Sequence, residues 1–161
     1  MRSFFDVPAH PLFIHLVVVA LPFVTLTAAA VLLVRPNSRK WAAYLVVGFG
    51  VVLAGTLLAK FSGDAFGVVL DGRAPIGKHR RLGDQTTWIV VATFVVSVAN
   101  LLAGARSRAS PETVTTVAAR RVVPTVLLAA TVIVAAVATV WMVRAAHEGA
   151  RITWDGVFDL Q

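Results

Sequence analysis

Cysteine is absent from the 161 residues. Its absence excludes disulfides, thiolate metal sites, iron–sulfur clusters and covalently attached haem in this chain, so any metal must be held by nitrogen or oxygen. Charge is scarce too: only 14% of residues are charged, with 8 acids against 15 lysines and arginines. The chain has no phosphate-cradling loop, no nucleophile beside a base and no carboxylate pair at a useful spacing, which leaves hydrolase and kinase chemistry without support. It also has no low-complexity linker and no strong sequence repeat, and it reads as one domain, 1–161.

Apolar residues are abundant, at 58% of the chain with a mean hydropathy of +0.81; a soluble domain has roughly 45–50%. Four uncharged runs carry the excess: Leu12 to Val34, Trp41 to Ala59, Trp88 to Ala105 and Val122 to Val143. Each approaches the ~20 residues a helix needs to cross a hydrocarbon core of ~30 Å. None alternates polar and apolar residues as a barrel strand does. The expectation is an all-α integral membrane four-helix bundle, with helices about 12–34, 41–59, 79–105 and 122–147, an outer loop at 60–78 and a short outer tail at 148–161. The first run is longer than a signal-peptide core and is preceded only by Arg2, offset by Asp6, so it reads as retained.

The net charge of +7 is a topology signal and does not indicate a nucleic-acid partner. Arg35, Arg39 and Lys40 fill the first connection, and Arg106, Arg108, Arg120 and Arg121 flank the third, with Glu112 the one acid among them. Basic residues crowded into short loops mark the cytoplasmic face. Both termini are then outside, in a bacterial plasma membrane, and the lipid bilayer is the first partner. In "RPNSRK", Pro36 ends the first helix. Ser110, Pro111 and Glu112 form a helix-start signal in the third connection. Gly48 and Gly55 suit close packing on helix two. Thr86, Thr93 and Asn100 recur at heptad spacing on helix three, with Ser97 near the same face, and the stripe extends back to His79. Ser97 and Asn100 are expected to knit helices together. Trp41, Trp88, Trp141 and Tyr44 read as interfacial belt residues.

There are four histidines, His10, His15, His79 and His147, and the four-span topology places all of them at the outer end. "HPLFIH" puts His15 inside an apolar run, where a titratable side chain is costly unless it faces the interior. His10 and His15 would point about 140° apart on one helix; Pro11, suited to a first helical position, lets His10 stand outside the helix and turn back. Three readings follow. In the first, two histidines bind one haem b for electron transfer to or from quinone or a redox protein, with Arg80 or Arg81 near the propionates. His15 and His79 are the preferred axial pair, His147 is the substitute and His10 an outer residue. In the second, three or four histidines with Asp64 or Asp84 hold copper, zinc or non-haem iron. In the third, the histidines are interfacial in an accessory subunit without cofactor. Asp64 in "FSGDAF" either steadies a ligand imidazole or caps a loop. Homo-oligomerisation is compatible with each reading.

"HPLFIHLVVVALPF" resembles the opening "HP..VH.P" signature of a bacterial membrane family known as domain of unknown function 2231. The similarity continues through "FSGDAF", "HRRLGDQTTW" and "VRAAHEG" and covers most of the chain. It implies a four-span module with polar landmarks at His10, Pro11, His15, Ser62, Gly63, Asp64, His79, His147 and Gly149. Members joined to Rieske-type domains imply a redox role. The chain departs from the signature after His15, where Leu16 and Val17 stand in place of "F-P-I".

Overall fold

The computed structural model describes residues 3–4, 7–67, 76–109 and 114–158. A two-residue antiparallel pairing, β1 (Ser3–Phe4) with β2 (Val7–Pro8), precedes four helices: α1 (Ala9–Val34), α2 (Arg39–Gly67), α3 (Gly77–Ala109) and α4 (Val114–Phe158). All four are long and apolar enough to cross a membrane. With a rise of ~1.5 Å per residue, the 26 residues of α1 reach about 39 Å and the 45 residues of α4 about 68 Å, so α4 outruns a bilayer core. Large apolar side chains stay exposed along every helix, including Val19, Leu33, Tyr44, Trp88 and Ile133. In water such a surface would aggregate; in lipid it is the solvated face.

Two boundaries differ from the hydropathy reading. Lys60, Ser62, Gly63 and Asp64 belong to α2 and not to an outer loop, and residues 148–158 continue α4 where a tail was expected. Ion pairs to α3 explain why both polar extensions remain helical: Lys60 reaches Asp84, and Glu148 accepts from Lys78 at 2.9 Å. The remainder of the expected loop, 68–75, and the Ser110, Pro111 and Glu112 signal lie outside the described residues.

Each helix packs on its neighbours in sequence, and α4 closes on α1, so α1 faces α3 and α2 faces α4 across the diagonals. The core includes Val17, Leu21, Phe49, Val52, Val90, Leu128, Ala135 and Met142. Gly48 and Gly55 serve the close approach expected of them: a Cβ on either would lie 3.1 Å from Val24 or Leu16 of α1. The α3 stripe faces inward as expected, with Thr86, Thr93, Ser97 and Asn100 all buried. Thr86, Thr93 and Ser97 bond carbonyls of α3 itself (Leu82, Ile89 and Phe94). A hydroxyl returning its proton to the preceding turn satisfies itself without a partner helix, so Ser97 does not knit helices together as the sequence suggested.

Burial exposes a repeat that residue identity hides. At one constant shift in numbering, the buried positions Leu45, Phe49, Val52, Thr56, Ala59 and Ser62 of α2 fall on Thr131, Ala135, Ala138, Met142, Ala145 and Glu148 of α4, all buried. At another, Val17, Leu21, Ala28 and Val31 of α1 fall on Thr86, Val90, Ser97 and Asn100 of α3. The bundle is two α-hairpins of one design, α1–α2 and α3–α4, set in parallel about its long axis.

Candidate functional site

The second shift carries His10 onto His79, and the first carries Ala59 and Gly63 onto Ala145 and Gly149. These residues form one motif twice. His10 donates its Nδ1–H to the Ala59 carbonyl at 2.7 Å, and His79 donates its own to the Ala145 carbonyl at 2.9 Å. A carbonyl only accepts, so each Nδ1 carries a proton, and the tautomer this selects has its lone pair on Nε2. One turn beyond each carbonyl is the glycine that seats the ring. A Cβ on Gly63 would meet His10 Cε1 at 2.7 Å, and one on Gly149 would meet His79 Cε1 at 2.9 Å. Both distances are below ordinary contact, so alanine at either position displaces the imidazole.

The two clasps meet at the centre of the bundle end. The His10 and His79 rings lie 6.2 Å apart between centroids with planes at 89°, joining α1 to α3 across the diagonal. His15 and His147 are elsewhere, both exposed, and His15 donates Nδ1–H to the Pro11 carbonyl of its own helix at 2.6 Å. The expected pairing of His15 with His79 is therefore not the one the fold brings together. The reason lies at the helix start: α1 begins at Ala9, upstream of Pro11, which sits in a first turn where no N–H is needed. Both histidines are then helical, about 140° apart, and with His10 turned inward His15 turns out.

Ionic groups surround the pair. Lys60 bonds Asp64 at 3.2 Å and, across to α3, Asp84; Arg80 reaches back to Asp64 at 3.2 Å. Asp64 is thus committed to two cations and is neither a loop cap nor bonded to an imidazole. Glu148, its side chain covered, accepts from Lys78 at 2.9 Å and Arg151 at 2.7 Å. Arg81 is exposed. Among the described residues no group of three or more histidines and acids is placed to hold a metal ion. Trp141 Nε1–H donates to Gln85 Oε1 at 3.1 Å, and the Arg144 guanidinium stands 5.1 Å over the Trp141 ring.

Sequence reasoning missed the two seating glycines as a pair, and it missed Lys60, Lys78 and Glu148. The available signal was an alanine followed four residues later by glycine, "AKFSG" and "AAHEG", at the same depth of both returning helices.

The family model described as predicted membrane protein, DUF2231, matches residues 6–159. No curated protein and no solved structure matches the chain.

Proposed function

The chain belongs to DUF2231, a family of predicted membrane proteins, and from its histidine end we propose a membrane-embedded redox protein that holds one b-type haem through His10 and His79. The observation that carries this reading is the donor set. Two imidazoles meet, each with Nδ1–H engaged by a carbonyl and Nε2 left as the ligating nitrogen, and no third histidine or acid joins them among the described residues. A bare copper, zinc or iron site asks the protein for three or more donors; a porphyrin brings four of its own and asks for two. Two imidazoles sharing one ion at ~2.0–2.1 Å per Nε2 place their centroids roughly 6 Å apart, in line with the 6.2 Å between these rings. Held by His10 and His79, a haem would supply a one-electron couple.

The remaining work belongs to the chain. The Ala59 and Ala145 carbonyls fix the tautomer and orientation of the two rings and raise their basicity. The Lys60 and Glu148 ion pairs hold α3 to its neighbours around them. The clustering of basic residues at the opposite end, in Arg35, Arg39 and Lys40, supports a histidine end on the outer face of a bacterial plasma membrane. There a quinone in the bilayer or a peripheral redox protein is the electron partner.

One observation favours a second reading. Each ring fits a glycine notch so closely that the clasp by itself joins two helices, as in an accessory subunit without cofactor. Purified protein, titrated with haemin where needed, separates the two. Haem ligation predicts a Soret band with sharp reduced α and β bands, lost in His10→Ala and in His79→Ala and kept in His147→Ala. Colourless, metal-free protein that both substitutions destabilise equally supports the clasp, and stoichiometric zinc or copper without colour returns the non-haem site.

A further inference from the structure

The repeat makes the α2–α3 and α4–α1 seams equivalent by position, yet they are built differently. At the histidine end of α2–α3, Lys60 pairs with Asp84 and Arg80 with Asp64, two ion pairs that cross between helices. The same shifts put Ala146 in the place of Lys60, Ala150 in that of Asp64, His15 in that of Asp84 and Pro11 in that of Arg80. No ion pair crosses the α4–α1 seam among the described residues, and α1 and α4 have the least contact of the four adjacent helix pairs. The helix faces agree with this assignment. Leu16 and Val24 sit against α2 at Gly55 and Gly48, so Pro11 and His15 lie on the flank of α1 nearer α4, where both are exposed.

The other two seams are closed at this end. α1–α2 carries the His10 clasp on Ala59 and Gly63. α3–α4 carries the His79 clasp, the Lys78–Glu148 pair and the Gln85–Trp141 bond. Parting any seam but α1–α4 breaks hydrogen bonds or ion pairs between helices. Among the described residues, parting α1 from α4 breaks no ion pair and uncovers Pro11, Ala146 and Ala150.

We infer that the α1–α4 seam is the lateral entrance through which a flat, apolar porphyrin reaches His10 and His79 from the lipid phase, with His15 standing at its mouth. This rests on the haem reading above. A planar macrocycle suits the path, because Ala146, Ala150 and Pro11 stand where the α2–α3 seam has Lys60, Asp64 and Arg80, and no ion pair among the described residues must be broken.

The lack of native cysteine allows a direct test. Ile14→Cys with His147→Cys labels the α1–α4 flank, and Gly83→Cys with Phe61→Cys labels the equivalent flank of α2–α3; none of the four positions is fully buried and none belongs to an ion pair described above. Each pair is bridged with a short bifunctional maleimide, and haemin is added to the detergent-solubilised protein. A bridge across α1–α4 is expected to slow growth of the Soret band at least about tenfold relative to the same protein unbridged, and a bridge across α2–α3 to leave it unchanged. Equal loading in both bridged forms overturns the entrance. If neither unbridged protein takes up haemin, the haem reading fails, and spin labels on the same cysteines judge the seam alone. A broader distance distribution across α1–α4 than across α2–α3 upholds a seam that parts, and equal widths overturn it.

Discussion

The His10 and His79 rings stand perpendicular at 6.2 Å, each tied through Nδ1 to a carbonyl of the helix that follows its own. This contact spans the diagonal of the bundle, and the residues on its two sides are repeats of one another.

Equivalence has a measurable result. His10→Ala and His79→Ala should lower haem uptake to the same extent, since the two rings have matching supports. His15→Ala should change the rate at which the Soret band develops and leave its position alone. An optical titration of the three variants checks both statements, and a shifted band in His15→Ala would make that residue a ligand.

Gly63→Ala and Gly149→Ala should each push an imidazole off its carbonyl, lowering the thermal midpoint and abolishing haem uptake. Gly83 has nothing within 4 Å of where a Cβ would be, so Gly83→Ala should stabilise α3 by about 1 kcal/mol through helix propensity. Differential scanning calorimetry in detergent reads all three. A neutral Gly63→Ala would show that the notch is not tight.

Lys60→Met should loosen α2 from α3 modestly. The side chains of Lys60 and Asp84 are partly exposed, and a double-mutant cycle of Lys60→Met with Asp84→Leu should return a coupling of roughly 0.2–1 kcal/mol, as for other solvent-touched pairs. Unfolding in denaturant at two salt concentrations gives the coupling and its screening.

Sidedness follows from the basic connections. In intact cells, a membrane-impermeant maleimide should label Gly77→Cys and spare Asn37→Cys until the membrane is opened. The reverse pattern would invert the topology and put the histidine end in the cytoplasm.

The number of helices and their approximate cores were legible from hydropathy, because twenty uncharged residues leave few alternatives. The inward stripe of Thr86, Thr93 and Asn100 was legible for the same reason, being periodic. Helix ends were not: Lys60, Asp64 and Glu148 look like loop residues until their partners on α3 are known, and those partners are distant in sequence. The site was half legible. Chemistry singled out the histidines, but which two meet depends on where α1 begins, and Pro11 pointed two residues too late. The repeat stayed hidden because it conserves which positions are buried while exchanging Leu45 for Thr131 and Ser62 for Glu148. A hydrophobic core accepts such exchanges when spacing is kept.

Two hairpins of one design need not have remained alike. Assembled from identical copies, the bundle would repeat any ion-pair lattice on its opposite flank, and the molecule would look the same from either side in the plane of the bilayer. Written as one chain, it has a charged back at α2–α3 and a plain front at α4–α1. A neighbouring membrane protein approaching through lipid thus meets two different molecules depending on the direction from which it comes.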